Sequence, residues 1–292
     1  MRPTLLHIAL TFDDNYWAPA YAVMRSICLA SRRPADLNFY LIYIGLDPAH
    51  RAELDVIADE FPATLHHIDL ASETAYRDLV ADLPIAPPFT PVIYARLLLD
   101  RLLPKAVERV LYLDSDTFVR MPVEDLLATD LEGKALGAVL DAHRHIHMFR
   151  RDLKANRDVF DYNFPYFNSG VLLIDRTAYA AANLPARARE MQQSGLLKRL
   201  QYDQALLNLA FRDNWFPLDY RWNLINPEPA HEMLEPFILH YTGPRKPWSV
   251  LPGAAFGRLY RHVMTNRNFK AFQRQRLLRA VRRPLAPFAG KS

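Results

Sequence analysis

The sequence predicts an α/β fold in which helices cover a parallel sheet. Three apolar runs, at residues 5–12, 37–44 and 109–113, have the length of buried strands. Segments 17–30 and 48–61 follow the first two runs and have apolar residues at helical spacing. Strands that are apolar along their whole length are typical of parallel sheets, whose two faces are both covered. The alternation of such strands with helices therefore indicates β-α-β units.

The rest of the chain continues this alternation with shorter segments. In chain order, we predict a strand at 64–68, a proline-rich loop at 82–91, a helix at 92–103, strands at 136–140 and 171–174, a helix that carries Asp203 and Gln204, and a strand at 236–240. Polar residues end several of the strands, namely Asp13, Asp114, Asp141 and His240. Because ligands of such sheets bind beyond the carboxyl ends of the strands, we expect these residues to converge on one crevice.

Composition excludes several classes of protein. Half of the 292 residues are hydrophobic and 23% are charged, which describes a folded globular chain. Cys28 is the single cysteine, so a disulfide framework and a multi-cysteine zinc site are excluded. There is no apolar run of 18 residues, and the N-terminal run is too short for a signal peptide. We therefore expect a cytoplasmic protein.

The positive charge of the chain is concentrated at its C-terminus. Ten of the 36 lysines and arginines, and none of the acidic residues, lie within 258–292. At helical spacing, Phe269, Phe272, Leu277 and Val281 would share much of one face opposite the arginines. Such a helix is typical of binding to an anionic membrane surface or a partner, although a solvated helix packed on the domain has the same pattern. Because no nucleic-acid-binding motif is present, we expect no nucleic-acid partner.

An acidic pair follows the strand at 109–113. If Asp114 and Asp116 point unpaired into one pocket, their repulsion raises one pKa, and a divalent cation removes that conflict. Carboxylate and phosphate oxygens suit Mg²⁺ or Mn²⁺, and a histidine ligand favours Mn²⁺. A solvated turn after the strand would explain the D-x-D tripeptide alone equally well.

Two enzymatic chemistries use such a pair. In haloacid-dehalogenase-like phosphatases, Asp114 would be the nucleophile and Asp116 the acid or base, whereas in a nucleotide-sugar glycosyltransferase both would hold a metal on a diphosphate. The phosphatase motif normally lies on the first strand of its core, but several α/β units precede Asp114 here. A non-catalytic nucleotide-sugar-binding protein is the third alternative, which the intact acidic pair and His240 disfavour.

Six motifs, in order across residues 5–250, resemble the family 8 retaining glycosyltransferases, especially the bacterial lipooligosaccharide α-galactosyltransferase branch. They are T-F-D-D-N-Y at 11–16, Y-A-R at 94–96, L-Y-L-D-S-D-T at 111–117, F-N-S-G-V-L-L-I-D at 167–175, Y-D-Q-A-L-L-N at 202–208 and H-Y-T-G-P-R-K-P-W at 240–248. The resemblance implies a GT-A fold, which is a Rossmann-like mixed sheet, mostly parallel and flanked by helices. It assigns residues 1–250 to the catalytic domain and leaves 251–292 as a basic amphipathic tail.

The resemblance also implies a donor and a metal. The donor would be UDP-galactose or UDP-glucose, bound with Mn²⁺ or Mg²⁺. Asp114, Asp116 and His240 match the metal ligands, and Ser115 between the two aspartates is predicted to contact the donor. The acceptor would be a glycan or glycolipid such as a lipooligosaccharide or lipopolysaccharide. Because such glycolipids are made at the inner face of the cytoplasmic membrane, the tail would hold the enzyme there as a peripheral protein.

Further positions match the donor pocket of that family. The implied nucleotide contacts are Thr11, Asp13, Asn15, Tyr16 and Gly243. Among them, Asp13 would accept from the base and Tyr16 would stack, although aspartate and asparagine are also ordinary helix caps. Gly243 would let the backbone approach the diphosphate. Arg96 would contact the donor phosphate or the sugar, although an exposed arginine on a helix fits the same position. The implied sugar contacts are Asp141, Asn168, Ser169, Gly170, Asp203 and Gln204. The family often has a lysine where this chain has Leu98.

Three residues match catalytic positions. Lys246 would neutralise the charge that develops on the leaving UDP. Gln204 matches the position near the anomeric carbon, and an amide is a poor nucleophile, which favours front-face attack by the acceptor. Asp203 is the alternative nucleophile.

Overall fold

The computed structural model describes residues 5–85, 89–149, 152, 154–200, 202–249 and 253–282. The strands are β1 (Leu6–Asp13), β2 (Leu37–Ile44), β3 (Thr64–Asp69), β4 (Arg109–Asp114), β5 (Thr117–Val119), β6 (Leu136–Leu140), β7 (Phe167–Asp175), β8 (Trp215–Pro217), β9 (Leu224–Ile225) and β10 (Ile238–His240). The predicted strands at 5–12, 37–44, 64–68, 109–113 and 136–140 are thus all present.

Helices connect these strands. The α-helices are α1 (Trp17–Ala30), α2 (Pro48–Glu60), α3 (Thr74–Val80), α4 (Leu99–Leu102), α5 (Val123–Leu127), α6 (Arg144–Phe149), α7 (Arg176–Ala181), α8 (Leu184–Gln193), α9 (Leu196–Arg199), α10 (Tyr202–Ala210), α11 (Gly257–Met264) and α12 (Asn266–Arg282). The 3₁₀ helices are Pro34–Asp36, Pro91–Leu98, Tyr220–Asn223 and Pro229–Leu234. None of the helices within the described residues is both long and apolar enough to cross a membrane.

The main sheet has the order β3-β2-β1-β4-β7-β6-β8. Strand β7 runs antiparallel to its neighbours β4 and β6, and the other pairs are parallel. The prediction of a mostly parallel sheet flanked by helices is therefore confirmed. Because β7 is reversed, its first residues lie at the edge where β1, β4 and β6 end.

A small second sheet has the order β5-β10-β9. Strand β10 is antiparallel to β5, which places His240 opposite Thr117, and it is parallel to β9. The predicted strand at 236–240 is therefore shorter than expected and lies in this second sheet. Its pairing with β5 brings His240 next to the turn that follows β4.

Two predicted segments differ in form. The helix expected at 92–103 is a 3₁₀ helix, Pro91–Leu98, followed by the short α4. Side chains on several sides of this segment are buried, including Val92, Tyr94 and Arg96. The segment therefore lacks the exposed polar face that is typical of an amphipathic α-helix. The strand expected at 171–174 begins four residues earlier, so the F-N-S-G motif lies within β7 instead of before it.

The sheet has an apolar core on each face. Along β4, Val110 and Tyr112 face one core, whereas Leu111 and Leu113 face the other. Helices α1 and α2 cover the second core, and the 3₁₀ helix Pro91–Leu98 covers the first. This alternation follows from the two-residue period of a strand and explains the continuous apolar runs.

The described part of the C-terminal segment packs on the main domain. Tyr260, Met264 and Phe272 are buried in one cluster with Trp17 and Trp248. Of the residues predicted to share an apolar face, Phe269 and Phe272 contact this cluster, whereas Leu277 is 66% exposed. The single-face prediction is therefore wrong beyond the first turns of α12, because the inward side of the helix becomes polar there. The side chain of Val281 lies outside the described residues.

The packing of α12 predicts how its substitutions affect stability. The change Phe272→Ala removes a buried ring and should lower the free energy of unfolding by about 3–5 kcal/mol. Leu277→Ala, on the exposed side of the same helix, should change it by less than about 0.5 kcal/mol. Urea denaturation of the full chain measures both values. Equal losses for the two variants would contradict the observed packing.

Candidate active site

Four segments of the chain meet at one edge of the main sheet. Strands β1 and β4 end there at Asp13 and Asp114, and Asp141 follows the end of β6. The reversed β7 begins there, which adds Asn168. The convergence predicted from the strand ends is thus present, and strand direction, together with the parallel pairing of β1 with β4, accounts for it.

Two carboxylates and an imidazole form a compact cluster at this edge. The Nε2 atom of His240 lies 3.1 Å from Oδ1 of Asp116 and 3.6 Å from Oδ2 of Asp114. One ligand atom from each of the three residues lies within 4.8 Å of the others. His240 is 2% exposed, and its ring is therefore held by the surrounding protein. Two oxygens and one nitrogen form a donor set that fits Mn²⁺.

Gly170 makes room for this cluster. A Cβ atom at this position would lie 2.1 Å from Cε1 of His240 and 2.7 Å from Oδ2 of Asp114. Both distances are well below van der Waals contact. The glycine of the F-N-S-G motif thus permits close packing of two proposed metal ligands, in addition to the sugar contact that the resemblance implies.

Arg96 lies beneath the cluster and pairs with two carboxylates. Its Nη2 donates to Oδ1 of Asp114 at 2.8 Å, and its Nη1 donates to the carbonyl oxygen of Ser169 at 2.9 Å. Its Nε forms an ion pair of 3.0 Å with Asp203. The guanidinium also stacks over the ring of Tyr112, with 4.7 Å from Cζ to the centroid. Arg96 therefore offsets the charge of one partly exposed carboxylate, Asp114, and one buried carboxylate, Asp203.

Lys246 balances the other carboxylate of the D-x-D motif. Its Nζ donates to Oδ2 of Asp116 at 2.7 Å and also to the carbonyl oxygen of Tyr241. Burial opposes ionisation of Asp116, but His240 and Lys246 outweigh it and hold the pKa of this carboxyl below its usual range. Asp116 is therefore ionised at neutral pH, as a metal ligand must be.

The predicted sugar contacts form a hydrogen-bonded group beside the cluster. The Oε1 atom of Gln204 accepts from Nδ2 of Asn168 at 3.2 Å and from the backbone N–H of Ser169 at 3.1 Å. Its Nε2 donates to Oδ2 of Asp141 at 3.0 Å. The Nδ1 atom of His147 donates to the same oxygen at 2.8 Å. Hydrogen bonds to both polar atoms of its amide thus fix the side chain of Gln204.

The pKa values of Asp141 and Asp203 are shifted in opposite directions. Burial opposes ionisation of Asp141, but the hydrogen bond from His147 outweighs it and lowers the pKa. Burial raises the pKa of Asp203 even though Arg96 acts in the other direction. Asp203 packs against Arg96 and is 8% exposed, so this carboxylate has little free surface.

Hydrogen bonds within the predicted nucleotide turn hold its backbone in place. The N–H of Asn15 donates to Oδ1 of Asp13 at 2.8 Å, and the N–H of Tyr16 donates to the Asp13 carbonyl oxygen at 2.9 Å. The ring of Tyr16 lies edge-on to Trp248 with 5.8 Å between centroids. The hydroxyl of Thr11 bonds to Tyr112 below the turn at 2.7 Å.

Helix α12 lies directly against this turn. The Nε2 atom of Gln275 donates to the carbonyl oxygen and Oδ2 of Asp14, at 3.0 and 2.9 Å. Nε1 of Trp17 donates to Oε1 of Gln275 at 3.0 Å. Arg279 donates to both Asp14 and Asn15. The basic C-terminal segment therefore contacts the predicted nucleotide turn, and no sequence pattern predicts this contact.

Two other predicted contacts also have partners within the protein. The hydroxyl of Ser115 donates to the carbonyl oxygen of Thr11 at 3.2 Å and ties β4 to β1. The N–H of Gly243 donates to Oδ1 of Asn226 at 2.7 Å. A Cβ atom at Gly243 would lie 2.8 Å from that same oxygen, so this glycine lets the two segments approach closely.

Sequence reasoning missed two residues of this region. His147 lies in the short helix α6 after Asp141, and Asn223 contacts the ring of His240. A histidine six residues after Asp141 carries no recognisable spacing, and Asn223 lies 17 residues before His240. Only the pairing of distant segments brings either side chain into the site.

Comparison with known proteins agrees with this geometry. The family model described as glycosyl transferase family 8 matches residues 7–251. This span includes most of the chain, and the chain therefore belongs to glycosyltransferase family 8. The enzyme class implied by the six motifs, a glycosyltransferase, is thus confirmed at the level of the family.

Relatives occur in plants and bacteria. The probable galacturonosyltransferase-like 8 of Arabidopsis thaliana is 28% identical over 265 residues, which cover 84% of this chain and 67% of the relative. The general stress protein A of Bacillus subtilis is 24% identical over 284 residues, which cover 90% of this chain and 94% of the relative. The shared region thus spans nearly the whole bacterial relative.

Solved structures show the same fold. The galactosyltransferase LgtC, crystallised with donor and acceptor sugar analogs, superposes with a TM-score of 0.75 at 23% identity and covers 91% of this chain and 100% of its own. The bifunctional glycosyltransferase WbbM in its apo form gives a TM-score of 0.67 at 20% identity, with 93% of this chain and 52% of its own covered. The fold of this chain is therefore GT-A.

The close packing at Gly170 generates a stability prediction. Gly170→Ala should lower the free energy of unfolding by about 1–3 kcal/mol, because the new methyl group overlaps the ring of His240. Gly257→Ala is a matched control, since a Cβ atom there meets nothing within 4 Å. Thermal and urea unfolding of both variants provide the comparison. An unchanged stability for Gly170→Ala would show that the two ligands are not packed as described.

Proposed function

We propose that this protein is a metal-dependent retaining hexosyltransferase. It moves galactose or glucose from the UDP-sugar to an acceptor hydroxyl and keeps the configuration at the anomeric carbon. The observation that carries the proposal is the cluster of Asp114, Asp116 and His240 at the edge where the predicted nucleotide turn also lies. This placement favours a nucleotide-sugar site over the phosphatase alternative, whose motif belongs on the first strand.

The residues of the cluster have distinct roles in this proposal. Asp114, Asp116 and His240 hold Mn²⁺ or Mg²⁺, which when bound offsets the charge of the donor diphosphate. Lys246 lies beside Asp116 and adds a positive charge for the leaving UDP. Arg96 forms an ion pair with Asp114 from the protein side. Its buried position supports a role beneath the ligand in place of the predicted direct contact with the donor phosphate or sugar.

The contacts of Gln204 support front-face attack. Its Oε1 atom is already bound by donors from Asn168 and Ser169, and an amide oxygen is a weak nucleophile. Asp203, the alternative nucleophile, is buried and paired with Arg96. In the proposed route the acceptor attacks the face from which UDP departs, and a phosphate oxygen of the leaving group takes the hydroxyl proton. Gln204 orients the sugar through this network.

The C-terminal segment supports a peripheral membrane location. Residues 1–250 carry the proposed chemistry, and the described part of the tail at 251–292 packs on them through α11 and α12. Leu277 and Leu278 remain exposed on α12 among arginines. An anionic surface at the inner face of the cytoplasmic membrane, where a glycolipid acceptor is found, would fit this basic and apolar face.

The proposed activity is tested by release of UDP. The full chain should release UDP from UDP-galactose or UDP-glucose with Mn²⁺ and should lose this activity in excess chelator, because the diphosphate charge is then uncompensated. His240→Ala should reduce release by at least about 100-fold. His67→Ala, a histidine on β3 outside the cluster, is the control and should leave the rate unchanged. UDP-galacturonate is included because one relative is named galacturonosyltransferase-like.

Two outcomes would contradict the proposal. Release of phosphate from a phosphomonoester, without UDP release, would support the phosphatase alternative. Binding of UDP-sugars without turnover, in the presence of every sugar acceptor screened, would support a non-catalytic binding protein.

The front-face route makes its own prediction. Gln204→Ala should lower turnover by about 10–1000-fold without abolishing it, because the residue orients the sugar and does not form a bond to it. Single-turnover kinetics with the preferred donor measure this loss. Mass spectrometry should detect no hexose attached to the protein. Detection of a covalent adduct on Asp203 would make the double-displacement route correct.

A further inference from the structure

The two ring nitrogens of His240 face different partners. Nε2 points at Asp114 and Asp116, the other two residues of the cluster. Nδ1 lies 2.9 Å from Oδ1 of Asn223 on the opposite side of the ring. Asn223 is 2% exposed and ends the 3₁₀ helix before β9, which pairs with β10 and so holds this asparagine beside the histidine.

A chain of amides fixes which atom of Asn223 faces the ring. The backbone N–H of Gly170 donates to Oδ1 of Asn168 at 3.0 Å, which identifies that atom as an acceptor. Nδ2 of Asn223 donates to the same oxygen at 2.9 Å. The remaining atom of the Asn223 amide is therefore its oxygen, and it faces Nδ1 of His240. Because an amide oxygen only accepts, Nδ1 must carry a hydrogen.

We propose that Asn223 is a positioning residue that selects the ligating nitrogen of His240. With Nδ1 protonated and held by Asn223, Nε2 is the nitrogen available to a cation, on the side where Asp114 and Asp116 lie. Ligating histidines generally have such a partner, which fixes the tautomer and the orientation of the ring. This inference rests on the proposed function, because it assumes that the cluster binds a metal.

The same amide chain continues into the sugar pocket. Nδ2 of Asn168 lies 3.2 Å from Oε1 of Gln204, and Gln204 in turn donates to Asp141. Asn168 thus connects the residues around the proposed metal with those around the proposed sugar. It gives the asparagine of the F-N-S-G motif a second role, which is to orient Asn223.

A second buried asparagine provides a matched control. Oδ1 of Asn38 lies 3.0 Å from Nε2 of His66, and its Nδ2 donates to the carbonyl oxygen of Asp36 at 3.1 Å. Asn38 is 8% exposed and is the second residue of β2, at the opposite edge of the sheet from the cluster. Loss of this amide removes the same kinds of bonds without touching the site.

Binding of Mn²⁺ alone tests the inference without a sugar substrate. Electron paramagnetic resonance of free Mn²⁺ gives the Kd for the full chain. Asn223→Leu should weaken binding by about 10–100-fold, since no acceptor remains for Nδ1. Asn223→Asp keeps an acceptor oxygen for Nδ1 but loses the donor to Asn168, and it should therefore weaken binding less than Asn223→Leu does. Asn38→Leu should leave the Kd unchanged.

The outcomes separate this inference from the proposed function. If the unmodified chain does not bind Mn²⁺, the proposed metal site is wrong. If it binds and Asn223→Leu binds equally well, or if the leucine and aspartate variants lose affinity equally, the role of Asn223 is wrong. Should the leucine variant fail to fold, Asn223→Ser replaces it with the same expectation, because its hydroxyl is too short to reach Nδ1.

Discussion

The site depends on the balance of charge around the D-x-D turn. Two partly exposed carboxylates and the buried ring of His240 lie within a few ångströms of one another. Such a group is stable only if positive charge lies close by. Arg96 pairs with Asp114 and Lys246 pairs with Asp116, so each carboxylate has one cation from the protein. A bound divalent ion would add further positive charge on the side of the cluster that faces the donor.

The direction of β7 connects the two halves of the site. A wholly parallel sheet would place the start of this strand at the far edge, away from Asp114. Because β7 is antiparallel, Asn168 and Gly170 lie beside the metal cluster and Ser169 lies over Arg96. One motif therefore makes room for the proposed metal ligands, orients the amide behind His240 and contacts Gln204. The proposed sugar and metal sites share a single hydrogen-bonded framework.

The C-terminal segment has two different sides. Its inward side joins an aromatic cluster and then reaches the predicted nucleotide turn through Gln275 and Arg279. Its outward side carries exposed leucines and arginines. The pattern of charge predicted a basic helix, but it did not distinguish a helix that binds a membrane surface from one that packs on the protein. Arg279 contacts Asp14, so this arginine packs against the rest of the protein.

The sequence by itself predicted seven of the ten strands of the described residues in their order along the chain, the apolar character of the sheet and the identity of the acidic pair, because these depend on local periods and short motifs. It did not predict the short strands β5, β8 and β9. Only the tertiary structure decided that His240 lies beside Asp116, 124 residues away, and that Asn223 lies behind its ring. These contacts depend on the pairing of β10 with β5 and β9, and on the reversal of β7. A local pattern does not encode strand direction or partner, since the same apolar run can pair in either direction.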